Sequence, residues 1–133
     1  MKKEINDTAM PTGQVHIQHF DAEGNLKGER QVKNLVVTTG KNYIASKMVA
    51  TTNSPVSMTH MAIGTGSTTP AAANTALGSQ TGRVSLSGSS VSSNAITYTA
   101  TFPAGTGDGA ITEAGIFNAS SGGTMLCRTT FPV

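Results

Sequence analysis

Beyond Ala50 the chain carries four charged side chains, Arg83, Asp108, Glu113 and Arg128. Two of them sit in one stretch, Ile111 to Phe131, I-T-E-A-G-I-F-N-A-S-S-G-G-T-M-L-C-R-T-T-F, which reads as a β-hairpin. Ile111, Ile116, Phe117, Met125, Leu126 and Phe131 favour strands. Ser121-Gly122-Gly123 supplies the turn, because glycine reaches positive φ without a steric penalty. With the turn centred near Ser121 and Gly122, Phe117 lies opposite Leu126 and Gly115 opposite Arg128. Side chains alternate between faces, so Glu113, Gly115, Phe117, Leu126, Arg128 and Thr130 are expected on one face. Glu113 and Arg128 become diagonal neighbours, with Gly115 leaving room for the Arg stem. A lone buried carboxylate is costly, so Glu113 is expected to pair with Arg128 or Arg83. That makes it a structural ion pair, not a catalytic group.

The other candidate chemistries are thinner. Gly64-Thr65-Gly66-Ser67 looks superficially like a phosphate loop, but the working pattern needs a Lys before Ser/Thr and a helix start. No Lys follows Lys47. His16 and His19 are three apart and point to opposite faces of a strand, and His60 stands alone. A three-fold axis could gather one His per chain around a metal; a surface or half-buried His is the plainer reading, and no metal or cofactor is expected. No G-x-S-x-G elbow occurs, Asp108 sits in a turn, and two isolated carboxylates make no glycosidase. Cys127 is the single cysteine, so no intrachain disulfide forms; it reads as a small core residue. Asn118-Ala119-Ser120 matches a glycosylation acceptor and reads here as turn composition. The chain is not expected to be an enzyme.

Composition bounds the class. A chain of 133 residues supports one domain with a core. It is 12 % charged, about half the usual share, and rich in Gly, Ser and Thr, which points to many short strands. Seven of the nine Lys and Arg residues lie in the first 50 positions, interleaved with five of the seven acids. With a net charge of +2 and no basic stripe, nucleic-acid binding is not expected. Met1 to Pro11 lacks the apolar core of a signal peptide, and no apolar run has spanning length, so synthesis in a cytoplasm and no membrane partner are expected.

The elements that must position these residues follow in order. Residues 1–13 read as an N-terminal arm and residues 14–133 as one domain. Within it, residues 14–31 form an N-terminal hairpin: Gln14 to Phe20, a turn at Asp21 to Asn25, then Leu26 to Gln31. Residues 32–133 form the main sheet region, starting with an extended Val32 to Val37. Thr38 or Thr39 is expected to cap the one helix, Gly40 to Ala50, whose Tyr43, Ile44, Lys47 and Met48 share a face. Thr51 to Ser57 is a loop. Met58 to Ile63, Arg83 to Leu86 and Ala95 to Phe102 read as strands, Ala71 to Leu77 as a helical turn, Ser87 to Asn94 as a link, and Pro103 to Gly109 as a turn.

Three segments together resemble a known family: N-L-V-V-T-T-G-K-N-Y-I-A (Asn34 to Ala45), T-H-M-A-I-G-T-G-S-T-T-P-A-A-A-N-T-A-L-G (Thr59 to Gly78), and the Ile111 to Phe131 hairpin. The set is similar to small tailed-bacteriophage virion proteins of the tail-fibre, tail-collar or baseplate-associated type, over Asn34 to Phe131. The resemblance implies an all-β, jelly-roll-like β-sandwich with one short helix, often a homotrimer, assembled in the host cytoplasm into the virion. Members continue past the R-T-T-F strand, whereas this sequence stops at Val133, so an open edge or a strand from another chain is expected there. The implied role is a tail-fibre, collar or baseplate component in assembly and host attachment. The alternative is a capsid decoration protein clamping major capsid subunits, and a third class is a carbohydrate-binding module. The partners implied are copies of itself, other virion proteins, and a host-surface glycan at loops Thr65 to Thr69 or Gly105 to Gly109.

Overall fold

The computed structural model describes residues 2–4, 10–49 and 54–133. Residues 1 and 5–9 of the arm read at 1–13, the end of the helix at Ala50 and the start of the loop at 51–53 fall outside those residues.

Alternating residues in the N-terminal segment form β1 (Gly13–Phe20) and β2 (Leu26–Val36), paired antiparallel from Gly13↔Asn34 to Phe20↔Leu26. The turn between them is held by the Asp21 carboxylate, which accepts from the backbone N–H of Glu23 and Asn25, and by Gly24 at φ +85°. β2 runs unbroken through Val32; its end, Leu35 and Val36, pairs with β8 (Met125–Thr130), the Lys33 carbonyl accepts from the Thr129 hydroxyl, and Arg30 donates to the Pro132 carbonyl.

The remaining strands are β3 (His60–Gly64), β4 (Gln80–Ser85), β5 (Gly88–Ser92), β6 (Ala95–Thr99) and β7 (Glu113–Phe117). They complete a six-stranded antiparallel sheet in the order β1-β2-β8-β7-β3-β4, with β5–β6 as a separate ribbon. Among the described residues the fold is all-β with one helix. Its layers are unequal. On one face Val36, Met58, Ile116 and Cys127 form a cluster covered by Tyr43 and Ile44 of α1 (Thr38–Lys47) and by Tyr98 of β6. On the other, Val37, Ala62, Leu77, Phe117 and Met125 form a second cluster under the loop joining β3 to β4. β7 lies between the two, and all five of its residues are buried.

The structure alters several expectations. A bulge between Ile116 and Phe117 sets Phe117 opposite Met125, not Leu126. Leu126 therefore turns to the Tyr43 side of the sheet. Gly115 does lie opposite Arg128, but the space its missing Cβ leaves is taken by Leu77 and the Cys127 carbonyl, not by the Arg stem. Neither Thr38 nor Thr39 caps α1: Val37 holds the cap position with no side-chain bond, and the Thr39 hydroxyl donates to the Met125 carbonyl. The Ser87 to Asn94 link contains β5, because its serines pair with Thr97 and Tyr98. Ala71 to Leu77 forms no helix; Asn74 closes a single turn onto Ala71 through backbone and side chain. The R-T-T-F strand leaves no open edge at Cys127 and Arg128, since β8 lies between β2 and β7.

Candidate functional site

β7 and β8 place Glu113 and Arg128 on the same face, with Glu113 opposite Thr130 and Arg128 opposite Gly115. Arg128 Nη2 lies 2.8 Å from Glu113 Oε2, and Nε lies 3.0 Å from the same oxygen. Side-chain exposure is 2 % for the arginine and 0 % for the glutamate. A pair this buried is stabilising only when its remaining lone pairs and protons are also met.

The loop from Thr65 to Ser79 meets them. Gly66 N donates to Glu113 Oε1 at 3.1 Å, Ser79 N to Oε1 at 2.6 Å, and Gly78 N to Oε2 at 2.9 Å. Asn74 Oδ1 accepts from Arg128 Nη1 at 3.0 Å. The Thr112 hydroxyl, beside Glu113, donates to the Gly66 carbonyl. Both ends and the middle of the loop are thus tied to one ion pair. The approach of loop to carboxylate is close enough that a Cβ on Gly66 would sit 2.4 Å from Glu113 Oε1. The glycine-rich G-T-G-S segment does present a backbone N–H to an anion, and that anion is the protein's own carboxylate. Burial would raise the Glu113 pKa; the N–H groups of Ser79 and Gly78, the Arg128 guanidinium and the Gly66 N–H outweigh it and hold the carboxyl below its ordinary value.

Arg83 does not reach Glu113. Its Nη1 donates to the carbonyls of Ala119 and Gly122 at 3.0 Å each, its Nε and Nη2 hold Gln80 Oε1, and its guanidinium carbon lies 3.8 Å from the Phe117 ring centroid. It fastens the β7–β8 turn, where Gly122 and Gly123 take φ +57° and +73°. Asn118 also serves this turn, its Oδ1 accepting from Thr124 N.

The remaining chemistry-bearing residues stay apart. His60 contacts the hydroxyls of Thr59 and Ser85. His16 lies 3.1 Å from Glu29 on the exposed hairpin. Burial pushes the Cys127 thiol up to about 11, which keeps it protonated and inert at neutral pH. Among the described residues no group of three or more His, Cys, Asp or Glu is placed to hold a metal ion, and no helix is long and apolar enough to cross a membrane. Of the aromatic residues only Phe20 is exposed; Tyr43 and Tyr98 pack against the core.

Sequence reasoning found Glu113 and Arg128 and missed Gly66, Asn74, Gly78 and Ser79. Their signal was faint: Gly, Asn and Ser in a loop denote turns in general, and nothing local to 65–79 points at a carboxylate 34 to 47 residues away.

The arrangement is a fastener. Both carboxylate oxygens are engaged, and the guanidinium bonds the carboxylate and Asn74. No curated protein and no solved structure matches this chain. A family model described as phage tail-collar fibre protein, N-terminal, does match it over residues 29–130, from within β2 to the last residue of β8. The match covers most of the chain and takes in Glu113, Arg128 and the whole loop that they hold, and the chain belongs to the phage tail-collar fibre family.

Proposed function

We propose that this domain works in building the phage tail, as a fibre, collar or baseplate component that joins neighbouring virion proteins by surface complementarity and turns over no substrate. The observation that carries this reading is a contrast within the fold. The two buried charges, Glu113 and Arg128, are spent on each other, while two hairpins carry exposed apolar side chains. On the β5–β6 ribbon, Val91 and Ile96 face one another across the strands, 73 % and 58 % exposed. At the tip of β1–β2, Phe20 and Leu26 are paired and exposed. Exposed apolar pairs on projecting ribbons suit contact with another protein.

The test is labelling of intact particles with an antibody to this chain, viewed by electron microscopy. Label confined to the tail supports the reading. Label spread over the head overturns it in favour of capsid decoration.

A further inference from the structure

The loop that joins β3 to β4, residues 65–79, lies over the face of the sheet that carries Val37, Ala62, Phe117 and Met125. Its anchorage is lopsided. Only Leu77 among its residues is buried, Gly66, Pro70 and Asn74 are half-buried, and the rest are exposed. Of the hydrogen bonds it makes to other elements, four end on Glu113 or Arg128, from the N–H groups of Gly66, Gly78 and Ser79 and at the Asn74 side chain. The others are the Thr112 hydroxyl on the Gly66 carbonyl and the Thr38 N–H on the Ala72 carbonyl. The sheet itself is held elsewhere. β7 pairs with β3 and β8 along its whole length. The cluster of Val36, Met58, Ile116 and Cys127 on the opposite face takes no residue from 65–79. A segment with one apolar anchor and its polar ties gathered at one place is the kind that opens apart from the rest of a fold.

We propose that residues 65–79 form a strap latched by Glu113, which swings off as one unit when that carboxylate takes up a proton, while the six-stranded sheet stays folded. The chemistry of the latch gives the trigger. Glu113 Oε1 accepts from Gly66 and Ser79, and Oε2 accepts from Gly78 and Arg128. A protonated carboxyl carries an O–H where one of these acceptors stood, and it has lost the charge that holds the guanidinium. Among the described residues no other charge makes up the loss. The strap contains no Asp, Glu, His, Lys or Arg, and β7 has no second charge. On β8, Arg128 is the ionic partner already named. On β3, His60 lies at the end away from the Gly64↔Glu113 pair and contacts the Thr59 and Ser85 hydroxyls. On β4, Arg83 is held by Gln80 and by the carbonyls of Ala119 and Gly122. The strap also seats directly on the carboxylate, since a Cβ on Gly64 or Gly66 would stand 2.7 or 2.4 Å from Oε1. Against the pull of burial, the Ser79, Gly78 and Gly66 N–H groups and Arg128 hold the carboxyl below its ordinary value. The closed form is therefore favoured at neutral pH and is lost as pH falls through the depressed closed-state value. Opening uncovers Val37, Ala62, Phe117 and Met125, an apolar surface that the closed strap hides. The device does not depend on where in a virion the chain resides.

The test is amide hydrogen exchange of the 133-residue chain, resolved by residue and corrected for the intrinsic pH dependence of exchange, from pH 7 down to about pH 3. The amides of Gly66, Gly78 and Ser79, together with Thr38 on the Ala72 carbonyl, are expected to share one opening. That opening should be about tenfold or more as frequent as that of the β7 and β8 amides. Lowering the pH should strip protection from the strap first, and from the sheet only at lower pH. Two variants separate the latch from the fold. Glu113→Gln should show the strap open at pH 7, with little further change on acidification. Asn74→Ala removes the bonds to Arg128 and Ala71 and leaves Glu113 in place. It should raise exchange in the strap and at Thr38 about tenfold and leave the β7 and β8 amides as they were, and it decides the matter if Glu113→Gln does not fold. One protection shared by strap and sheet at every pH overturns the proposal. So does an acid loss of strap protection that persists in Glu113→Gln, or an Asn74→Ala effect spread evenly over the sheet.

Discussion

Glu113 and Arg128 are fifteen residues apart in the chain and 2.8 Å apart at Oε2 and Nη2, and between them they hold a loop that begins at Thr65. Other ties support the loop: Leu77 enters the core, the Thr112 hydroxyl donates to Gly66 O, Thr65 N bonds Ser79 O, and Ala72 O accepts from Thr38 N. The ion pair is therefore the joint through which strand, loop and helix start are tied.

Loss of either partner should be severe. Glu113→Gln leaves a buried guanidinium without its anion, and Arg128→Met leaves a buried carboxylate without its cation. Each is expected to cost about 3–5 kcal/mol, the usual range for breaking a buried pair. The double variant should cost less than the sum of the two, because the second change removes a charge that the first left unpaired. Urea unfolding of the four proteins measures this; strictly additive losses would contradict the coupling.

Acid should release the same joint. The Glu113 carboxyl is held below its ordinary value of 4.5 in the folded chain, so the unfolded chain binds this proton more readily. Its contribution to stability is fully present above the unfolded value and is lost as pH falls through the depressed folded value. Thermal unfolding followed from pH 7 down to pH 2 should show the melting temperature of the unaltered chain falling through that acid window. The Glu113→Gln variant should start lower and fall less. Equal slopes would place the acid sensitivity elsewhere.

Gly40 lies inside α1, where alanine ordinarily stabilises by about 1 kcal/mol. Here a Cβ would stand 2.0 Å from the Leu126 carbonyl oxygen, a backbone atom of β8 that has no rotamer to change. Gly40→Ala should thus lower the melting temperature, with a cost on the order of 1–3 kcal/mol for overpacking. A gain in stability would show that the helix does not press on β8 at this point.

Cys127 is buried in the cluster with Val36, Met58 and Ile116, and its thiol is pushed up to about 11. A thiol reagent at neutral pH should modify it only as fast as the sheet opens, and promptly in denaturant. Fast labelling of the folded chain would place the residue at the surface.

Local rules were enough for much of this. The β-favouring residues around Ser121-Gly122-Gly123 identified the β7–β8 hairpin, alternation identified β1, and the cost of a buried carboxylate paired Glu113 with a cation on the next strand. Local rules also erred where backbone or distant partners intervened. The bulge at Ile116 and Phe117 shifted Leu126 across the sheet, and the Thr39 hydroxyl went to a strand carbonyl and not to the helix end. Arg83 could not be told from Arg128 as the partner of Glu113, because both are long cations near one acid and only the sheet order separates them.

The all-β class, the one helix, the β1–β2 and β7–β8 hairpins and the inward ion pair were legible in the residues alone; the β5–β6 ribbon was not. These depend on periodicity, turn residues and desolvation, which act over a few neighbouring residues. What closes over that pair, and which strand lies outermost among the described residues, came from packing of the whole chain. The Thr65–Ser79 loop reaches Glu113 with backbone N–H groups, which every residue but proline carries and no side-chain pattern reveals. Among the described residues β1 has β2 on one side and no strand on the other, and that order is set by packing across the whole chain.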